Sequence, residues 1–254
     1  MHFDEYKGKT VFITGAASGI GQAQAIAFVE QGANVFGVDI SQTGLNETKK
    51  KTQQFSGSFF GHTGDITKQA DMKTAVQKAN SLFGPIHILL NTAGILDDYA
   101  PTLETSEELW DQILTVNLKG TYLVTNQVLP QLLEQKHGVV INMASIAGKV
   151  AGGGGAAYTA SKHAIIGYTK QLDYDYSKQG IRANAIAPGA IQTPMNAADF
   201  SGDAKMAQWV AAETPAGRWA KPEEVASLTL FLASEQADYI HGTVMTIDGG
   251  WLEK

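Results

Sequence analysis

The sequence predicts a single-domain α/β protein, a doubly wound parallel sheet of about seven strands with helices on both faces. Three observations predict it. Short runs rich in Val and Ile alternate with longer segments of helical period along the whole chain. A glycine-rich turn follows the first of these runs and opens the first helical segment. At 254 residues, with no internal repeat and no linker-like stretch, the chain has the length of one large domain; a core of that size needs no disulfide or metal staple.

In chain order, strands are expected at Val11–Thr14, Asn34–Asp39, Ser58–His62, Ile86–Asn91, Val139–Ser145, Ile181–Ala187 and Val244–Asp248. Helices are expected near 19–31, 43–54, 68–83, 105–135, 157–178 and 222–234. Short apolar runs suit strands covered on both faces, and the helical segments between them are long enough for the crossovers that parallel neighbours require. Such βαβ units, with right-handed crossovers, lead to a doubly wound sheet. There, ligands bind at the carboxyl ends of the strands, where strand order reverses. Residues just after strands are therefore the functional candidates.

Composition removes several function classes. Cysteine is absent, which excludes thiol nucleophiles, iron–sulfur clusters and cysteine-based zinc sites and fits a reducing compartment. The histidines are scattered with no pair at ligand spacing on one helix face, so no metal site is expected. Net charge is −6 without a basic stripe. Lys49–Lys51 reads as a solvated helix face, and no nucleic-acid partner is expected. Neither a signal-peptide pattern nor an apolar run of ~20 residues occurs, so the expectation is a cytoplasmic protein with no membrane contact.

After the first strand comes Thr14-Gly15-Ala16-Ala17-Ser18-Gly19-Ile20-Gly21. Glycines at these places permit a tight turn and close backbone approach to a pyrophosphate at the positive end of the following helix. The spacing G-x-x-x-G-x-G differs from the commoner dinucleotide fingerprint. Asp39 ends the second strand, with Ile40 beside it, at the distance where an acid accepts hydrogen bonds from the adenosine ribose. It would repel a 2′-phosphate: at ~5 Å and an effective dielectric near 20, each phosphate charge costs roughly 3 kcal/mol. The next basic residue is Lys49. These features favour NAD over NADP.

At this point the chain resembles the short-chain dehydrogenases/reductases. The resemblance runs from Thr14 to Asp248-Gly249-Gly250 and is carried by the Thr14–Gly21 loop, Asn91-Thr92-Ala93-Gly94, Asn117, Ser145, Tyr158-x-x-x-Lys162 and Pro188-Gly189, in that order. It implies a Rossmann-type fold and an oxidoreductase interconverting a secondary alcohol and a ketone. It further implies that Asp65 bonds the adenine and Ile66 packs on it, while Asn91, Ala93 and Gly94 close over the dinucleotide backbone. Pro188, Gly189, Ile191 and Thr193 would hold the nicotinamide end, and 194–216, with Met195, Phe200, Met206 and Trp209, would cover the substrate.

Tyr158 and Lys162 are four apart in a helical segment and so share a face. A phenol ordinarily titrates near 10; bringing it to ~7 requires about 4 kcal/mol, which a neighbouring ammonium and an oxidised nicotinamide would supply. The phenol then serves as acid/base. Ser145 ends the fifth strand and would orient the substrate oxygen; its surroundings, Met143-Ala144-Ser145-Ile146-Ala147, lack the nucleophile-elbow pattern. The resemblance gives Asn117 a water that relays protons from Lys162.

The stretch Ile181-Arg182-x-Asn184-Ala185-Ile186-Ala187-Pro188-Gly189 is similar to 3-oxoacyl-[acyl-carrier-protein] reductases, which usually use NADPH and dock an acidic carrier through basic residues. Asp39 points away from that cofactor. Of the two docking positions, Lys136 is basic and Gln179 is not. The four glycines 152–155 read equally as a flexible loop or a shaped wall. A small-molecule alcohol dehydrogenase, an NADPH-dependent acyl reductase and a non-catalytic dinucleotide sensor all remain open. The family commonly forms tetramers, and a homotetramer is expected, with the helices near 105–135 and 157–178 at one interface and the last strand with Trp251 at another.

Overall fold

The structure, a computed structural model, describes residues 3–253. Among these, seven strands form one sheet: β1 Thr10–Thr14, β2 Asn34–Asp39, β3 Ser58–Thr63, β4 Ile86–Asn91, β5 Gly138–Met143, β6 Ile181–Pro188 and β7 Val244–Ile247. Their order is β3-β2-β1-β4-β5-β6-β7, with each neighbouring pair parallel. The chain leaves β3 at one edge and returns to β4 beside β1, so strand order reverses between β1 and β4. The expected single α/β domain and its sheet are present.

The helices are α1 Gly19–Glu30, α2 Gln42–Thr52, α3 Gln69–Phe83, α4 Glu107–Leu114, α5 Thr121–Gln135, α6 Ala156–Tyr176, α7 Lys205–Glu213 and α8 Pro222–Ala233. Two buried clusters, one on each face of the sheet, hold these layers together. Val11 and Ile13 of β1 pack with Phe28 and Val29 of α1 and Val225 and Leu232 of α8. Phe12, between them, points the other way, into a cluster with Met72 of α3 and Val128 and Leu132 of α5. This alternation is why β1 is buried at every position: a strand covered on both faces needs apolar residues throughout. Each fully buried large side chain contributes about 1.5–3 kcal/mol.

Two differences from expectation bear on the site. The segment expected as one helix over 105–135 is α4, a π-helical turn at Thr115–Gly120, then α5. A π turn inserts an extra residue into the helical ladder and rotates the residues after it. It ends at Gly120, where a Cβ would lie 2.7 Å from Ile66 Cδ1, so a larger residue there would make the Ile66 side chain shift. The other difference is α7, which lies in a segment where the sequence predicts no helix.

Candidate active site

A cleft of about 870 Å³ opens along the carboxyl ends of the strands. Of the residues expected to act, Gly15, Ser18, Gly19, Ile20, Gly21, Asp39, Ile40, Asp65, Ile66, Ala93, Gly94, Ser145, Tyr158, Lys162, Pro188, Gly189, Ile191 and Thr193 all border it. They arrive from six strand ends and α6. Asn91 and Asn117 do not border it.

The nucleotide half is built for close backbone approach. A side chain at Gly21 would collide with the Gly15 carbonyl, and one at Gly15, whose φ is +73°, would lie 2.9 Å from Ala93 Cα. The turn therefore presses against the strand-four loop with no room for a Cβ. Asp39 accepts hydrogen bonds from Ala17 N–H (3.1 Å) and Ser41 N–H (2.9 Å), which fixes its carboxylate at the rim. Each carboxylate oxygen keeps a further lone pair for a ribose hydroxyl. No lysine or arginine borders this end; Lys51 reaches Gln22 Oε1 instead. Asp65 accepts from the Thr67 N–H and hydroxyl at 2.9 and 2.7 Å. These residues fit an adenine dinucleotide: a cradle lacking Cβ atoms, a fixed carboxylate at the end of β2, and a buried Ile66.

At the chemical half, Tyr158 and Lys162 lie on one face of α6, with Lys162 Nζ 5.4 Å from the phenol ring centroid. Both are almost fully buried. Lys162 Nζ donates to the Met143 carbonyl at 2.8 Å, the last residue of β5. Ser145 follows β5; its Oγ accepts from Ala147 N–H at 3.1 Å, and it borders the cleft with Tyr158. Burial dominates both groups, pushing Tyr158 up to about 12, with Ser145 opposing, and Lys162 down to about 8. Desolvation penalises whichever form is charged, so at neutral pH the protein alone holds Tyr158 as phenol while Lys162 stays mostly protonated.

Asn117 and Asn91 stand behind the residues that border the cleft. The π turn aims Asn117 at the loop after β4. Its Oδ1 accepts from Ile95 N–H (2.8 Å), and its Nδ2 donates to the Ile95 carbonyl (2.9 Å) and Ser161 Oγ (3.2 Å). The amide is thus a clamp between that loop and α6. A Cβ at Gly94 would lie 3.2 Å from Asn117 Oδ1 and 3.6 Å from Lys162 Nζ. Asn91 turns inward, donating to Thr125 Oγ1 (3.0 Å) and Asn142 Oδ1 (2.9 Å), so its side chain lies beneath the cleft.

Asp97 carried no sequence signal yet belongs to the site. It is 1% exposed, and its two oxygens accept from Gly155 N–H and Tyr158 N–H, each at 2.8 Å. The carboxylate thereby holds the first turn of α6, and the catalytic candidate with it. The glycine run is shaped rather than loose: a side chain at Gly154 would collide with the Tyr158 ring, and one at Gly155 would lie 2.5 Å from Asp97 Oδ2. Gly152 alone of the four has open space.

Trp251, expected at an interface, borders the cleft and packs edge-to-face on Trp209. Lys136 and Gln179 sit where β5 and β6 begin, at the opposite end of the strands from the cleft, so within one subunit they do not line it. Arg182 and Asn184, in the stretch similar to acyl reductases, are braces. Arg182 donates to the Leu232 and Ser234 carbonyls at 2.6 and 3.2 Å, and Asn184 to the Ile240 carbonyl at 2.7 Å.

Among the described residues no cluster of three His, Asp or Glu could hold a metal, and no helix is long and apolar enough to cross a membrane.

A family profile described as enoyl-(acyl carrier protein) reductase matches residues 15–252. A 3-oxoacyl-[acyl-carrier-protein] reductase of Thermotoga maritima is 39% identical over 244 residues, covering 96% of this chain and 98% of that protein. Levodione reductase superposes with a TM-score of 0.93 at 33% identity, covering 96% of this chain and 98% of that one. A putative NAD(P)-dependent gluconate 5-dehydrogenase of Beutenbergia cavernae, solved with bound NADP, superposes with a TM-score of 0.91 at 34% identity over 98% of each chain. Likeness of this extent, in sequence and in overall fold, makes the chain a member of the short-chain dehydrogenase/reductase family of oxidoreductases.

Proposed function

We propose that this protein is an NAD(H)-dependent dehydrogenase/reductase interconverting a secondary alcohol and a ketone, with Tyr158 as acid/base. The observation that carries the reading is the meeting of Ser145, Tyr158 and Lys162 at one end of a cleft whose other end is a side-chain-free cradle closed by Asp39.

Bound nicotinamide supplies the two-electron partner: the carbinol hydride passes to it in oxidation and returns in reduction. The hydroxyl proton is the protein's concern. Tyr158 Oη takes it in oxidation and gives it back in reduction. The Ser145 hydroxyl, at the same end of the cleft as that phenol, orients the substrate oxygen. Lys162 Nζ, anchored on Met143 O, sits beside the ring and stabilises phenolate when protonated. Burial raises the Tyr158 phenol in the protein itself, and the positive charges of protonated Lys162 and of an oxidised nicotinamide would both act to lower it. Asn117 fixes Ile95 and Ser161 around this group, and its nearness to the Gly94 gap beside Lys162 Nζ supports the proton relay. Residues 194–216, whose Met195, Met206 and Trp209 are exposed around the mouth, serve as the substrate cover.

The cofactor preference rests on Asp39 and on the absence of any basic residue bordering the ribose end. The rival reading, an NADPH-dependent 3-oxoacyl-[acyl-carrier-protein] reductase, draws on the Thermotoga relative and on the NADP in the Beutenbergia neighbour. Titrating NADH and NADPH into wild type and Asp39→Ala separates the two. Tight NADH, weak NADPH and a relaxed preference in the variant support the proposal; equal or tighter NADPH binding by wild type overturns it. For the chemistry, Tyr158→Phe must lose nearly all turnover of an alcohol panel, and near-wild-type turnover would refute the acid/base role. We further propose a homotetramer in which the exposed Tyr122 of α5 and Tyr174 of α6 are covered; a monomeric mass by light scattering overturns it.

A further inference from the structure

The dinucleotide reading accounts for only part of the cleft. Beyond Ser145 and Tyr158 its wall is made by Leu96, Met195, Met206, Trp209, Trp219 and Trp251. Trp209 and Trp251 meet edge-to-face with centroids 6.4 Å apart. Trp219 is fixed by its indole N–H on the Ala207 carbonyl at 2.9 Å and packs on Phe200 at 4.9 Å. The wall is therefore ordered aromatic surface. Met206 and Trp209 are nonetheless 54% and 55% exposed, apolar area at a cleft mouth that a ligand of like character would cover.

Acids predominate along the cleft. Its carboxylates are Asp39, Asp199 and Asp65, the last paired with Lys68 at 3.7 Å, and its one bordering cation is Lys162, whose Nζ is already engaged by Met143 O. Asp199 stands on the wall side, hydrogen-bonded to Asn196 and paired with no cation among the described residues. An anionic substrate would find no guanidinium or free ammonium to replace its hydration and would face Asp199 as well. Such an arrangement discriminates against anions by about tenfold or more. A flexible acyl chain gains contact with the indoles only by losing rotamer freedom, whereas a rigid alicyclic body does not.

We propose that the substrate is an uncharged, ring-bearing secondary alcohol or its ketone, recognised by the Trp209–Trp219–Trp251 wall and chosen over carboxylated or phosphorylated analogues by Asp199. The proposal rests on the alcohol–ketone reading above and narrows it. Polar sugar acids lack the apolar body the wall requires, and a phosphopantetheine arm presents a phosphate with no basic partner.

The test compares cyclohexanol, its ring-carboxylated analogue and isopropanol as substrates of the NAD⁺-saturated protein. The expected kcat/KM for cyclohexanol exceeds that for the carboxylated analogue by about tenfold or more. Asp199→Asn narrows that ratio severalfold, and Trp209→Ala lowers the ratio of cyclohexanol to isopropanol. Equal or better turnover of the carboxylated analogue, or ratios unmoved by both substitutions, overturns the proposal while alcohol oxidation stands. If no alcohol is turned over although the dinucleotide binds, the parent reading fails. Tryptophan-fluorescence titration of the NADH-bound protein with cyclohexanone and its ring-carboxylated analogue then decides the present proposal alone: tighter binding of the neutral ketone supports it, and equal or tighter binding of the carboxylate overturns it.

Discussion

Replacing Asp97 tests whether the site depends on a residue that touches neither end of the cleft. Its carboxylate holds two buried amides, Gly155 N–H and Tyr158 N–H, at 2.8 Å each. The turn that aims it is costly: Asp98 and Tyr99, neither a glycine, have φ of 50° and 61°, a conformation that costs about 1–2 kcal/mol per residue. Hydrogen bonds to a charged acceptor contribute about 1.5–3 kcal/mol each. Asp97→Ala should therefore destabilise the fold by about 3–5 kcal/mol, a large share of a typical 5–15 kcal/mol. Asp97→Asn keeps the shape but offers one oxygen for two donors and should cost about 2–3 kcal/mol. Because one of the two amides belongs to Tyr158, the Asn variant should also misplace the phenol. Urea unfolding reads the first effect and steady-state kinetics the second. The expected outcome for Asp97→Asn is a kcat lowered about tenfold or more, with NADH affinity within a factor of two of wild type. An Asn variant as active as wild type and as stable within about 0.5 kcal/mol would refute the argument.

Lys162, pushed from 10.5 down to about 8 by burial, gives stability a pH dependence. Between those values the unfolded chain holds a proton that the folded chain has released, so unfolding becomes harder as pH rises, by up to about 3 kcal/mol. Tyr158 acts in the opposite sense only above its ordinary value near 10, so urea midpoints at pH about 7.5 and 9.5 isolate the lysine, and an equal slope in Lys162→Met refutes its role. Gly21→Ala drives a methyl into the Gly15 carbonyl, and NADH affinity by fluorescence titration should fall at least about tenfold; unchanged affinity would mean the turn does not cradle the cofactor. Gly154→Ala drives a methyl into the Tyr158 ring, so kcat should fall while NADH binding holds, and the reverse pattern would place the glycines in the nucleotide half. Arg182→Leu, which strands the Leu232 and Ser234 carbonyls, should cost about 2–4 kcal/mol of stability with NADH affinity intact; a stable variant that had lost NADH affinity would return Arg182 to the site.

The legibility of the site in the sequence comes from topology. In a parallel sheet every strand ends on the same side, so a motif lying just after a strand is placed without knowing its partners. The Gly15–Gly21 turn, Asp39, Asp65, Ser145 and Pro188 were legible on that ground. Tyr158 and Lys162 needed only helical spacing. The hidden parts depend on a partner far along the chain. Asp97 looks like any loop acid until α6 arrives, 58 residues later, with Gly155 N–H. The π turn at Thr115–Gly120 leaves no mark on a pattern read with a fixed period. Helix α7 begins after Ala204 in a left-handed conformation that itself caps nothing, and Asp203, whose carboxylate accepts from Lys205 N–H at 3.4 Å, stands one residue earlier than a usual cap.

Asn91 shows where a motif match and a simpler physical rule part company. Its place after the strand-four apolar run invited a role against the dinucleotide. Yet it is the last residue of β4, and side chains on a strand alternate faces. Leu90 lies in the cluster with α1 and α8, and Leu89 in the cluster with α3 and α5. Asn91 must share the face of Leu89, under α5. The register pairs it with Asn142, which shares the face of Val140 in the same cluster, and Asn142 Nδ2 continues to Thr169 Oγ1 of α6 at 2.9 Å. Thr125, Asn91, Asn142 and Thr169 thus form a polar tie beneath the cleft that joins α5 to α6 through two strands. A polar chain in an otherwise apolar layer tolerates fewer alternative packings than hydrocarbon would. It fixes α6, and so Tyr158, from below, as Asp97 fixes the helix from its first turn. The next residues in the chain, Thr92, Ala93 and Gly94, are the ones that border the cleft.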